Sequence, residues 1–498
     1  MVGMLSPKQN DVGTPVKDPS NQAAILFGHG SVSSFALKTV FPAHRTGVDG
    51  LSGKADEEMT VGRLVEPPPN PRVRRHDIDW LRVILFGLLI PFHIAIGVYW
   101  TAYGDHVNPN MVEEVDVSAT SDDERNLYTA ESVDPMSLFL HWMHQWRLAA
   151  LFMISGMGTA FAFRRRTWTK FSVERLKRLL VPMMFGMWTI GFASSVLLEP
   201  LDTQGHGLSG FFEVWAEHIL WTSLLFWVPI IGKFMLGHLW FLWNLALYSF
   251  LLIPIFHIAQ KNPQGRLVNL FDKAFKWMNG WGVLLAFPVL LSLVEIILKP
   301  WMPGFLGSGY EWMWFLCFFL FGYICMMAKE GYYRLLEERF NAVVGMTVVF
   351  TMAFLWLRLQ QHTDGVPYVD GGWVDVGVLP HNLMTLFGCF VHAFHAWSWC
   401  LLVFALGARY LNHPSPHLAY LNQGVYPFYI VHMPLTFGFL SLSKDIGLAG
   451  IPAVLLTWGL VMVGCWAMFE VLKRTRLTRA LFGIKPLQTS EKKASPPA

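Results

Sequence analysis

The sequence predicts an all-α, polytopic integral membrane protein with about ten transmembrane helices. Three observations carry this. Of 498 residues, 53% are hydrophobic and 15% charged, against about 25% charged in an ordinary soluble domain. Stretches without Asp, Glu, Lys or Arg recur at 83–104, 179–198, 234–260, 376–408, 410–443 and 446–469, and about 20 mostly apolar residues suffice to cross about 30 Å of hydrocarbon. The cations between these stretches fall almost entirely on one side of the resulting layout, as the positive-inside rule requires. A soluble enzyme is excluded.

Residues 1–70 come first and differ from the rest. They are rich in Gly, Pro, Ser and charge, run into Pro67-Pro68-Pro69, and lack an apolar core. They read as a disordered cytoplasmic tail, with no cleavable signal peptide. A transmembrane domain over 71–487 follows, with spans at about 80–101, 137–163, 179–199, 237–258, 278–298, 310–328, 340–359, 380–407, 425–441 and 450–471. Residues 488–498 are a second short tail. Starting inside, the cytoplasmic segments hold 23 Lys and Arg, whereas the other side has Arg125, Lys233, Lys299 and Lys444, with Arg358 at a span end. Both termini are therefore expected in the cytoplasm, and the membrane is a plasma or inner membrane.

Residues 211–231 are apolar enough to suggest an eleventh span. Accepting it would move Lys261 to Lys276 and Lys473 to Arg479 outside, and the stretch carries Glu213, Glu217 and His218 and is broken by Pro229. It is read instead as a helix in the outer interface. The first outer loop, 102–136, holds nine acidic residues against Arg125, either a solvated cap or a surface for sugar hydroxyls. A net charge of +3 with no separate basic domain leaves nucleic acid out as a partner. The five cysteines (Cys317, Cys325, Cys389, Cys400, Cys465) all lie in apolar runs without paired spacing. Free thiols are expected, with neither disulfides nor a metal site.

Ionisable residues inside spans are costly and point to function. The first span has Arg82 near its inner end and His93 at its middle. A step of eleven residues is close to three α-helical turns, so both side chains share one face about 16 Å apart along the axis. An anchoring arginine plus a hydrogen-bonded packing histidine is the alternative. Arg175 and Arg178 precede Leu179-Leu180-Val181-Pro182. At i, i+3 they point the same way from an α-helix, and two guanidiniums on one face suit phosphate oxygens. Otherwise they simply set topology.

Taken together, these pieces resemble the membrane acyltransferase 3 family. The carrying residues are Asp79-Trp80-Leu81-Arg82-x10-His93, then Phe152-Met153-Ile154-Ser155-Gly156, then Arg175-x2-Arg178 ahead of Pro182. His238-Leu239-Trp240-Phe241-Leu242 and Tyr426-Pro427-Phe428-Tyr429-Ile430-Val431-His432 complete the order. The resemblance is to the branch containing the glucan-modifying succinyltransferases, without the esterase domain appended to large lipopolysaccharide O-acetylases. It implies an acyltransferase 3 type bundle of about ten helices. It also implies transfer of an acyl group, acetyl or succinyl, from cytoplasmic acyl-CoA to a hydroxyl of a glycan or other acceptor outside. Catalytic roles would fall to His93 and Arg82, and donor binding to Arg175, Arg178 and Arg82. No metal is expected.

The remaining polar residues are weaker candidates. His141, His144 and Arg147 form a polar stripe along the outer half of the second span, with acceptor binding for His144 and Arg147 set against structural hydrogen bonding. His238, Trp240 and His432 gain an acceptor role from their motifs. His392, His395 and Asn244 are expected to make helix–helix hydrogen bonds. Glu295 and Glu311 are expected to be solvated at span ends, or else to contact a sugar. The competing class is a secondary transporter or flippase whose buried Arg and His bind substrate or relay protons.

Overall fold

The computed structural model describes residues 75–103, 135–164, 166–198, 207–225, 237–302, 309–364 and 383–484. The N-terminal tail, most of the acidic loop and the C-terminal tail lie outside the described residues. All regular structure among the described residues is helical.

Among the described residues nine helices are long and apolar enough to cross a membrane: Asp77–Val98, Leu138–Arg164, Trp168–Leu197, Trp281–Leu298, Gly309–Met327, Phe340–Gln360, Leu383–Tyr410, Leu418–Asp445 and Gly450–Leu472. The pair Gly237–Leu251 and Ile253–Lys261, bent by 46°, is long and apolar enough only when taken together, and counts as a tenth span, fourth in order, if it crosses as one broken helix. Pro254 sits in the first turn after the break, where its missing N–H costs nothing. Nine of the ten expected spans have a counterpart among these helices, and the expected fourth span corresponds to the bent pair. The helix Gly207–Leu225 covers most of the ambiguous segment and is not among the spanning helices. It rests on the third span, where Trp215 Nε1 donates to the Trp188 carbonyl at 2.8 Å and Trp188 Nε1 to Ser223 Oγ at 3.1 Å.

The second span is the axis of the bundle, with 78% of its apolar stretch buried, against 22% for the seventh and tenth spans at the periphery. It meets the sixth span backbone to backbone. A methyl group at Gly156 would overlap the Phe319 carbonyl oxygen, and one at Gly322 would overlap that of Met153. This contact explains the glycine of the Phe-Met-Ile-Ser-Gly motif, since small residues let membrane helices approach closely.

Alternation of the spans puts the Asp77, Arg164, Lys261 and Leu472 ends together, and this end is called the basic end below. Short helices cover it, among them Arg266–Lys276, which buries Val268, Phe271 and Phe275, and Lys329–Glu338, which buries Tyr332, Leu335 and Leu336. Their cations face away from those apolar stripes, as amphipathic patterning requires.

Candidate active site

Prolines shape the site. Pro91 has no N–H to give to the Gly87 carbonyl, and the first span turns at Leu88 before presenting His93. In the ninth span Pro434 likewise leaves the Ile430 carbonyl without its helical donor. That carbonyl accepts from His238 Nε2 of the fourth span at 3.0 Å. His432 lies between Pro427 and Pro434 in the same helix and is fully buried.

His93 Nδ1 lies 3.0 Å from His432 Nε2, and His432 Nδ1 lies 2.7 Å from the Tyr429 carbonyl. A carbonyl only accepts, so His432 Nδ1 carries the proton, and with both rings neutral His432 Nε2 must accept. His93 Nδ1 is then the donor. The lone pair of His93 therefore sits on Nε2, directed away from His432. This fixes the tautomer of one imidazole through the hydrogen bond of another. Residue His93 is half-buried, whereas His432 is enclosed. The His238 ring meets His432 edge-on at 5.3 Å, and the Tyr429 hydroxyl donates to the His238 carbonyl.

The second span supplies the next layer. The Arg147 guanidinium stacks on Phe92 with Cζ 3.5 Å from the ring centroid, and the His144 ring stacks on Phe92 at 5.7 Å. His93, His144, Arg147, His238 and His432 thus form one cluster, joined through Phe92 and the His93–His432 contact. Trp240 stands apart, packed with Phe152 and Phe315 in the aromatic core. His141 is also outside the cluster: its Nε2 faces Arg358 Nη2 at 3.4 Å. The stripe on the second span therefore serves two places.

Toward the basic end, Arg82 and Arg175 converge on the second span. A Cβ at Gly158 would stand 3.2 Å from Arg82 Nη2, and Arg175 Nη2 donates to Thr159 Oγ1 at 2.7 Å. Arg82 also faces Asp79 at 3.7 Å. Arg178 behaves differently from the α-helical expectation. Residues Leu176–Leu180 form a π-helical turn, the response of the chain to Pro182, which has no N–H for the Arg178 carbonyl. Arg175 reaches Thr159 of the second span, whereas Arg178 lies 3.4 Å from Glu174 Oε1. The other Glu174 oxygen takes Arg166 Nε at 2.9 Å. A shallow groove lined by Thr169, Lys170, Val173, Glu174, Lys177 and Arg178 opens beside them.

Sequence reasoning missed Glu174, Thr159 and Tyr426. Tyr426 lies within electrostatic reach of both Arg175 and Arg178, and its hydroxyl has no hydrogen-bond partner among the described residues. Its presence in the Tyr426-to-His432 segment was the available signal, since one helix carries both Tyr426 and His432. Glu295 departs from expectation: it is buried, 2.8 Å from His392 Nδ1 and 3.7 Å from Lys299 Nζ. Glu311 is buried too. All five cysteines are free. Among the described residues no three His, Cys, Asp or Glu side chains are grouped to hold a metal ion.

Comparison with known proteins adds an independent line. The profile of the acyltransferase 3 family, described as an acyltransferase domain, matches residues 75–470. Glucans biosynthesis protein C of Escherichia coli strain K12 is 23% identical over 444 residues, covering 86% of this chain and 99% of the relative. The protein of the same name from Escherichia coli O6:K15:H31 is 23% identical over 446 residues, with the same coverage. No solved structure matches the chain.

Proposed function

From the premise that this chain belongs to the acyltransferase 3 family, and is an integral-membrane acyltransferase, we propose that it moves an acetyl or succinyl group from cytoplasmic acyl-CoA to a glycan hydroxyl at the outer face. Transfer chemistry takes precedence over transport on the family match. The observation that carries the finer reading is the His93–His432–Tyr429 relay lying below a rim of three arginines. A relay of this kind orients an imidazole as a base. The rim offers Arg82, Arg175 and Arg178 to the phosphates of CoA, and the name of the relatives supports a glucan as acceptor.

In this reading the basic end faces the cytoplasm, in a plasma or inner membrane, and both termini lie there. The pantetheine arm of the donor runs from the rim toward His93, a distance of about 16 Å along the first span. The acceptor O–H gives its proton to His93 Nε2 as its oxygen attacks the thioester carbon. The C–S bond then breaks, and the departing sulfur takes the proton back from His93, giving ester and free CoA thiol. His144 and Arg147 lie on the acceptor side of this centre, with His238 and His432 holding it in place.

Donor binding is the cheapest test. A ligand that binds only the folded state raises its stability by about 2.7 kcal/mol at a hundredfold excess over Kd. Detergent-purified protein should therefore melt at a higher temperature with CoA, acetyl-CoA or succinyl-CoA. No shift with any of the three would overturn the choice of donor.

A further inference from the structure

Arg147 brings a charge deep into the second span without a counter-ion among the described residues. It is 1% exposed, and neither Nε nor Nη1 has a hydrogen-bond partner. The ring of Phe92 covers one face of the guanidinium, with Cζ 3.5 Å from its centroid. Several other charged groups in the bundle have a charged or polar partner. Glu295 has His392 and Lys299, Arg358 has His141, and Arg175 has Thr159. A buried guanidinium with idle donors is costly, and a cation–π face offsets only part of that cost. Such a group is expected where an anion arrives during function.

Depth identifies the anion. His93 stands about 16 Å along its helix from Arg82, and Arg147 about 18 Å along the second span from Thr159, the residue that holds Arg175. The two side chains lie at a similar level relative to the arginine rim, and both contact Phe92. A donor held by its phosphates at that rim presents its thioester carbonyl to both.

We propose that Arg147 is the oxyanion receptor of the transfer reaction, with its idle N–H groups binding the thioester carbonyl oxygen. This rests on the reading of His93 as the base. As the acceptor oxygen bonds to the thioester carbon, the C=O π pair moves onto the carbonyl oxygen beside Arg147, and the hydroxyl proton moves to His93. When the C=O bond reforms, the C–S bond breaks and the sulfur takes the proton from His93. Arg147 is charged throughout and exchanges no proton. A preorganised donor in a water-poor site is worth most when charge develops beside it.

The test compares Arg147→Met, which fills the apolar stem without a charge, with Arg147→Lys and His93→Gln. Detergent-purified proteins are assayed with glucan oligosaccharides and whichever of acetyl-CoA and succinyl-CoA the wild type turns over. Arg147→Met should lower kcat about 10²- to 10³-fold. Its CoA affinity should stay within about twofold of wild type and its melting temperature near it. Arg147→Lys should recover part of the loss. A wild-type kcat in Arg147→Met overturns the proposal, as does a loss confined to donor KM, which would assign the charge to a fixed carboxylate on the acyl group. An active His93→Gln enzyme would overturn the underlying reading of the site. An inactive one beside an active Arg147→Met enzyme would overturn this inference alone.

Discussion

His93 and His432 face each other nitrogen to nitrogen at 3.0 Å, joining the first span to the ninth across 339 positions of sequence. Because His432 spends its own proton on the Tyr429 carbonyl at 2.7 Å, it can only accept from His93. In the proposed reaction the pair would work as base and orienter, one side chain fixing the tautomer of the other. His432→Ala removes the acceptor and frees the His93 ring to rotate. It should lower kcat about 10²-fold or more while leaving donor KM unchanged. His432→Gln, whose amide oxygen can accept the same bond, should fall between. Steady-state kinetics on the three proteins would show it, and equal kcat for wild type and His432→Ala would remove the relay from the mechanism.

That pairing could not be read from the sequence, and the reason is physical. Each histidine was visible as an ionisable residue in an apolar run, but their distance is set by helix packing, which no spacing encodes. The spans themselves were legible because hydrocarbon forces every backbone polar group into a helix, so hydropathy and length suffice. The Arg175–Arg178 geometry was misjudged for a local reason. The α-helical period was assumed through Leu176–Leu180, where Pro182 imposes a π turn. Glu295 was placed in solvent because a carboxylate near a span end usually is, and its burial depends on Lys299 and on His392 from another helix.

The rim makes a prediction of opposite sign at two neighbouring residues. Replacing both arginines, Arg175→Ala/Arg178→Ala, should weaken CoA binding at least ten- to hundredfold, since one charge-assisted hydrogen bond contributes about 1.5–3 kcal/mol. Glu174→Gln should instead tighten it. The Glu174 carboxylate occupies Arg166 and Arg178, and a phosphate has to displace it. Arg178→Lys should be impaired, because an ammonium cannot reproduce the guanidinium fork. Isothermal titration with CoA reads all three. Weaker binding in Glu174→Gln would mean that the carboxylate organises the rim rather than competing for it.

The crossing of the second and sixth spans gives a stability prediction free of any assumption about mechanism. Gly156→Ala forces a methyl group onto the Phe319 carbonyl, and Gly322→Ala onto that of Met153. Helices that must separate lose packing along their whole contact, and overpacking of this kind costs about 1–3 kcal/mol. Each variant should melt earlier than wild type. By contrast Gly345→Ala, where an added Cβ meets nothing within 4 Å, should be neutral or slightly stabilising through helix propensity.

Sidedness is testable at exposed positions near the ends of the spans. The charge asymmetry puts Asp445 outside and Gln264 inside, and both are exposed. Asp445→Cys should react with an impermeant thiol reagent in intact cells, and Gln264→Cys only after permeabilisation. The reverse pattern would invert the layout and place the arginine rim away from cytoplasmic CoA.

The last prediction concerns His93 itself. Transfer to a hydroxyl requires a group that takes a proton as the oxygen attacks and returns it to the leaving sulfur. Imidazole is suited because its ordinary pKa of about 6.5 lies near the operating pH. The hydrogen-bond chain leaves Nε2 of His93 as the free lone pair, and His93 is the member of the relay with accessible surface. His93→Ala and His93→Gln should both lower kcat by about 10²- to 10⁴-fold. His93→Gln keeps a side-chain amide able to donate to His432 Nε2, so folding, insertion and CoA affinity should stay close to wild type. That separates proton transfer from packing: a structural histidine would tolerate the amide, a base would not. If His93→Gln acylates its acceptor at near wild-type rate, the base must be sought at His144 or His432, and the relay would have to run in the opposite direction.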